Sequence, residues 1–148
     1  MRIPTIALAL ATLTAPALAE DAARIEVAES AELGRHLATD DGRPVYLFTT
    51  DTRGSEDAEP EISCTNEACL QAWPLVTTEG APEAGDDVAT DMLGTMSYAG
   101  RTIVTYNGWP LYHYYADEGI EAPQGQEIRS FGGEWYLLTP DGEKLEEG

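Results

Sequence analysis

The chain has 148 residues with 27 acidic against 8 basic side chains, a formal net charge of −19, and 43% hydrophobic residues. That length suits one domain with a modest core. A surface so acidic repels nucleic acid and anionic membranes and argues against both as partners, while a cation or a basic protein stays compatible with it.

Residues 1–19 read as a signal peptide: Arg2 supplies a positive start, Ile6 to Leu13 a short apolar stretch, and Ala17-Leu18-Ala19 a small-residue cleavage site. Cleavage after Ala19 would release a periplasmic or secreted protein beginning at Glu20. No cysteine follows that site, so no lipid anchor is expected. From Glu20 to Ala31 the chain is polar with a brief alternation at Ile25 and Val27, which predicts a short edge strand. Leu33 to Leu37 and Val45 to Phe48 flank Asp40-Asp41-Gly42, a turn signal that predicts a hairpin. Residues 52–63 form an acidic connector without apolar periodicity. Thr65 or Asn66 can cap a short helix carrying Ala68, Cys69 and Ala72, which Pro74 ends because the residue before a proline avoids helical backbone. Residues 77–91 read as a mobile acidic linker.

Beyond it the pattern is β. Met92 to Tyr98 leads through Ala99-Gly100 into Thr102 to Tyr106, and Asn107-Gly108, a strong type I′ turn pair, leads into Trp109 to Tyr114. A two-residue loop sets Tyr106 opposite Trp109 as a hydrogen-bonded pair and Thr105 opposite Pro110 as a non-hydrogen-bonded one, so the proline's missing N–H points outward. The register puts Val104, Tyr106, Trp109, Leu111 and His113 on one face and Ile103, Thr105, Pro110, Tyr112 and Tyr114 on the other. Both faces are apolar, so the hairpin either lies between two packed layers or lines an aromatic groove. After an acidic stretch at 116–127, Glu134 to Thr139 makes a last strand, and Pro140-Asp141-Gly142 turns it toward Lys144-Leu145. The expected fold is mainly β: a single compact domain of two pseudo-repeats of antiparallel hairpins (about 31–76 and 92–142), sandwich- or barrel-like, with one short helix near 66–73.

Cys64 and Cys69 are the two cysteines of the chain. In an exported protein a disulfide between them is the default. Their spacing is not that of a C-x-x-C redox site, and two thiolates alone make no four-ligand zinc site.

One phrase occurs twice. Tyr46 to Asp51 and Tyr112 to Asp117 both read Tyr-x-aromatic-x-x-Asp, sixty-six positions apart. Each copy has a Gly-x-Pro-x lead-in (Gly42 to Val45, Gly108 to Leu111) and a following tryptophan in an apolar run, at Trp73 and Trp135. With Cys64-x4-Cys69-x3-Trp73-Pro74-Leu75, Leu93-Gly94-Thr95 and Gly132-Gly133-Glu134-Trp135-Tyr136, these stretches resemble the exported bacterial "secreted repeat of unknown function" family, predicted lipoproteins with a conserved Yx(FWY)xxD motif. The resemblance covers nearly all of the expected mature chain and implies export and the repeat. It brings no activity and no catalytic residues. One departure is the missing lipid-bearing cysteine.

The motif side chains admit several roles. Tyr46, Phe48, Tyr112 and Tyr114 can fill the core, with tyrosine hydroxyls reaching a buried acceptor such as the aspartate five residues on. With Trp109, Asp51 and Asp117 they can instead form an aromatic recognition surface for a small molecule or an envelope protein. Asp51 and Asp117 suit backbone N–H groups of the following turn; facing each other they would make a hydrolase-like carboxylate pair. His113 with Met96 and Met92 is a candidate copper(I) site, since thioethers suit that soft ion. No G-x-S-x-G setting or phosphate-cradling loop is present in the sequence, so a non-enzymatic binding or interaction module is the preferred reading, with periplasmic copper handling and a carboxylate-dependent hydrolase as alternatives.

Overall fold

A computed structural model describes residue 4 and residues 22–117 and 122–146. The expected signal peptide lies almost wholly outside the described residues. The described chain is mainly β, with nine short strands, one helix and a 3-10 turn at Thr90–Met92. The strands are β1 (Arg24–Ser30), β2 (Gly34–Thr39), β3 (Tyr46–Phe48), β4 (Glu83–Ala84), β5 (Leu93–Tyr98), β6 (Arg101–Tyr106), β7 (Trp109–Pro110), β8 (Ile128–Ser130) and β9 (Gly133–Leu137), and the helix is α1 (Glu67–Ala72). They form three three-stranded sheets, ordered β2-β1-β4, β3-β9-β8 and β5-β6-β7, with no closed barrel.

The local signals explain most of these elements. Asn66 caps α1 by accepting the Cys69 N–H at 2.8 Å, and the helix ends at Ala72, ahead of Pro74. Asn107 (φ 51°) and Gly108 (φ 82°) both take left-handed backbone, as a type I′ turn requires, and the register is Thr105 opposite Pro110 and Tyr106 opposite Trp109. Gly108 is further constrained by close approach, since a Cβ there would sit 2.1 Å from the Gly54 carbonyl oxygen. Cys64 and Cys69 are disulfide-bonded.

Three segments depart from the expectations. β1 is the centre of its sheet and not an edge: it pairs antiparallel with β2 and parallel with the two residues of β4. β4 lies inside the stretch read as a linker, held by Glu83 N–H to Ala23 O at 2.8 Å and Gly85 N–H to Ile25 O at 2.7 Å. The first hairpin turns at Gly42 as expected, yet β2 spends its ladder on β1 and meets the returning chain only around Ala38 and Pro44.

The centre of the molecule is a set of four segments side by side. Tyr46 and Tyr112 exchange backbone hydrogen bonds at 2.8 and 3.0 Å, so the two motif strands pair with each other. Outside them, β9 pairs with the first motif strand, Leu137 opposite Tyr46, and the 73–76 segment meets the second, Leu75 opposite Tyr112. Each motif strand therefore lies against the tryptophan segment of the other copy. The contacts match in pairs: Thr49 N–H to Glu134 O at 3.0 Å corresponds to Tyr115 N–H to Ala72 O at 2.9 Å.

Alternation along these segments divides the core in two. Val45, Leu47, Val76, Val104, Tyr106, Leu111, Tyr136 and Leu138 join one cluster with Ile25 and Leu37. Tyr46, Phe48, Trp73, Tyr112, Trp135 and Leu137 join the other with the disulfide. Neighbouring residues point to opposite layers, which is why the motif hairpin is apolar on both faces.

Candidate functional site

The second cluster holds the motif side chains, and its rings are ordered about a pseudo-twofold axis. Trp73 and Trp135 stack face to face at 3.9 Å. Phe48 stacks on the outer side of Trp135 at 3.9 Å, and Tyr114 on the outer side of Trp73 at 4.3 Å. The two motif tyrosines close the stack edge-on, Tyr46 against Trp73 at 5.3 Å and Tyr112 against Trp135 at 5.0 Å. The edge-to-face contacts satisfy the ring quadrupoles, and the stacked ones bury area.

The tyrosine hydroxyls and the aspartates form two reciprocal clasps. Tyr46 OH donates to Asp117 Oδ2 at 2.5 Å, and Tyr112 OH donates to Asp51 Oδ2 at 2.7 Å. Each motif tyrosine thus binds the aspartate of the other copy and not the one five residues on. Backbone N–H groups complete both: Ser63 N–H reaches Asp51 Oδ1 at 2.8 Å, and Gln124 N–H reaches Asp117 Oδ1 at 2.8 Å. The Tyr46 oxygen accepts from Gly125 N–H at 3.0 Å, while the Cys64 N–H faces the Tyr112 oxygen. Asp51 and Asp117 are buried, and burial raises both above the usual carboxylate range against the lowering pull of these donors. Both tyrosines are pushed far upward by burial and the adjacent carboxylates, so their hydroxyls stay protonated donors.

The spacing of the motif follows from this geometry. Tyrosine and the aromatic two residues on share a face in a strand, one entering the clasp and the other the ring stack. The aspartate then turns back, its N–H bonded to the carbonyl of the motif aromatic at 3.1 Å in each copy (Phe48 and Tyr114).

Residues 96–139, which contain the whole second motif, match the family described as a secreted repeat of unknown function. That description names secretion and no activity. No curated protein and no solved structure matches the chain. Among the described residues no helix is long and apolar enough to cross a membrane.

The remaining candidates lie apart from the stack. Trp109 packs against the first cluster, on the opposite face of its strand from Tyr112. Met92 also packs there, whereas Met96 lines a cleft with Gly54, Pro60 and Thr105. His113 lines a different cleft beside Arg24, Asp41 and Arg43. His113 and Met96 thus line different clefts, and among the described residues no three His, Cys, Asp or Glu side chains cluster as metal ligands. Asp51 and Asp117 are likewise held in separate clasps, each spanned by a tyrosine. The sequence reading did not single out Ser63, Gln124 or Gly125, which complete the clasps. No local pattern marks them, since their role depends on chain returning from a distance.

Proposed function

We propose that this chain is an exported, non-enzymatic binding module that recognises a neutral or cationic ring, sugar or aromatic, at the Tyr114 end of the aromatic stack. The observation that carries this reading is the inequality of the two ends. At the Phe48 end the ring is buried, and Gly133 lies so close that a Cβ there would be 2.7 Å from it. At the other end Tyr114 is half-buried, and Tyr115, 59% exposed, packs edge-on against it at 5.0 Å. An aromatic pair at the surface offers a stacking face, and the acidic surroundings favour a ligand that is not an anion. Both motif carboxylates are occupied by tyrosine hydroxyls and backbone N–H groups, which supports a structural role for them over hydrolysis.

Trp73 reports directly on this end because Tyr114 covers it. Tryptophan emission recorded during titration with oligosaccharides and with aromatic and quaternary ammonium compounds is expected to shift saturably for at least one of them. Tyr115→Ala should weaken that ligand by roughly five-fold or more, in line with about 1 kcal/mol for an aromatic contact, with an unchanged melting temperature. An emission spectrum that no ligand moves, or a Tyr115→Ala protein that binds as tightly as the parent, defeats the reading.

A further inference from the structure

On the other side of the motif strands a second cleft, of about 450 Å³, opens between Arg24 on β1, the turn from Thr39 to Arg43, and the segment from Pro74 to Thr77, with His113 in its wall. Arg43 and His113 are among the polar residues that line it. Arg43 Nε is shielded from solvent and has no hydrogen-bond partner among the described residues. His113 is only 9% exposed, and its Nδ1 lies 3.2 Å from the Pro44 carbonyl oxygen. Nδ1 must carry the proton to donate there, which leaves Nε2 of the neutral ring as an acceptor. Burial, and then the Arg43 charge, lowers His113 to about 4, so the ring is neutral at ordinary pH.

The architecture does not require either residue. The motif repeats at sixty-six positions, so His113 corresponds to Leu47 and Arg43 to Trp109. The same corner is therefore built elsewhere in this molecule from two apolar side chains. Both residues thus put polar groups beside the cleft that the fold itself does not need.

The surrounding charges narrow what those groups can meet. Arg24 is engaged by Glu26 at 3.0 Å and Glu83 at 3.9 Å. Asp41 accepts from the Thr39 hydroxyl and from Arg43 N–H at 3.3 Å, and with Asp40 it makes an acidic rim. A simple anion would meet the two aspartates, and a simple cation would meet Arg43. A ligand carrying both charges on groups that share one carbon meets neither penalty. We propose that this cleft binds a small free α-amino acid, its carboxylate accepting from Arg43 and its ammonium donating to His113 Nε2 and the Asp41 carboxylate. Its volume falls within the range of small-molecule sites. The site is independent of the aromatic surface and stands or falls separately from it.

Calorimetric titration of the full mature protein with glycine, glutamate, lysine and phenylalanine, each beside its N-acetyl and carboxamide derivatives, tests this. At least one free amino acid is expected to bind saturably with a dissociation constant of about 1 mM or tighter, and both of its derivatives to bind at least about ten-fold more weakly. His113→Leu, which copies the residue of the other repeat, and Arg43→Gln should each weaken binding by about ten-fold or more, while Tyr115→Ala leaves it unchanged. Absence of binding by all four free amino acids overturns the proposal, as do derivatives that bind equally well. Wild-type affinity in folded Arg43→Gln also overturns it, and that variant decides alone if His113→Leu does not fold.

Discussion

The two clasps have one geometry and different supports. Asp51 accepts three donors, the Tyr112 hydroxyl with both the N–H and the hydroxyl of Ser63, the last at 2.7 Å. The next residue, Cys64, is bonded to Cys69 in helix α1, so a covalent link fixes the loop that carries the donors. Asp117 is fully buried and, among the described residues, accepts two, from Tyr46 and Gln124. Its loop has no disulfide and instead relies on close packing: a Cβ at Gly125 would be 2.8 Å from the Tyr46 ring and 3.0 Å from Trp73. Tyrosine and aspartate are common to both clasps, whereas the N–H donor to the aspartate comes in one from a stapled loop and in the other from Gln124, beside a glycine pressed against rings. The motif therefore specifies the pair across the pseudo-twofold, and the rest of each loop is free to differ.

The ring stack ties the two halves together, so a change at its centre should remove the distinction between them. Trp135→Ala takes away the partner of Trp73 and Phe48 and the ring that Tyr112 leans on. Truncation of a buried tryptophan costs about 3–5 kcal/mol, a large part of a small domain's stability. In urea the variant is expected to unfold in a single transition at a much lower midpoint, both clasps failing together. A loss below about 1 kcal/mol would mean that the stack is not the shared core.

A second inequality lies on the opposite face, where His113 stands in place of Leu47, and it predicts an effect of pH. The ordinary value of 6.5 is lowered to about 4 in the folded chain. As pH falls below the ordinary value, the unfolded chain takes up a proton that the folded chain refuses, so stability drops between pH 6.5 and about 4. The full effect is about 3 kcal/mol. His36, also lowered by burial, acts in the same direction. Asp51 and Asp117 oppose it, because a carboxyl raised in the fold holds its proton more tightly there and adds stability as pH falls toward the ordinary carboxylate value. Thermal denaturation of the parent and of His113→Leu across this range separates the histidine from the rest. The parent should lose stability relative to the variant as the pH drops, and parallel curves would show that His113 is not held neutral.

What the sequence disclosed and what it hid divide by distance along the chain. The Asn107-Gly108 turn, its register with Pro110, the Asn66 cap and the Cys64–Cys69 bridge are all set by residues a few positions apart, and each was legible. β8 was not, because its turn takes left-handed backbone at Phe131 and Gly132 without the Asn or Asp that usually marks one. β4 was hidden in an acidic Pro/Gly-containing stretch, since its two residues are ordered only by lying beside β1. The motif announced two equivalent tyrosines and aspartates, but two identical phrases cannot reveal whether each pairs within itself or with its counterpart. The tertiary fold decides that, by pairing the motif strands at Tyr46 and Tyr112. Arg43 carried no signal at all, because burial of its Nε arises from chain segments remote in sequence.

Double-mutant cycles give the finest comparison of the clasps. Tyr46→Phe with Asp117→Asn and Tyr112→Phe with Asp51→Asn should each show coupling, whereas Tyr46 with Asp51 and Tyr112 with Asp117, the pairs within one motif, should be additive to within about 0.5 kcal/mol. The two coupled pairs should also differ. Asp51 keeps both Ser63 donors when the Tyr112 hydroxyl is removed, so the carboxylate stays largely satisfied and coupling of about 1 kcal/mol is expected. Among the described residues Asp117 keeps only Gln124 N–H, and it has no exposure to water, so loss of the Tyr46 hydroxyl leaves a buried oxygen unmet and coupling should approach about 2–3 kcal/mol. Equal coupling in the two clasps would show that the Ser63 hydroxyl contributes nothing to holding Asp51. Coupling within a motif in place of coupling across the axis would contradict the exchange of partners on which the pseudo-twofold rests.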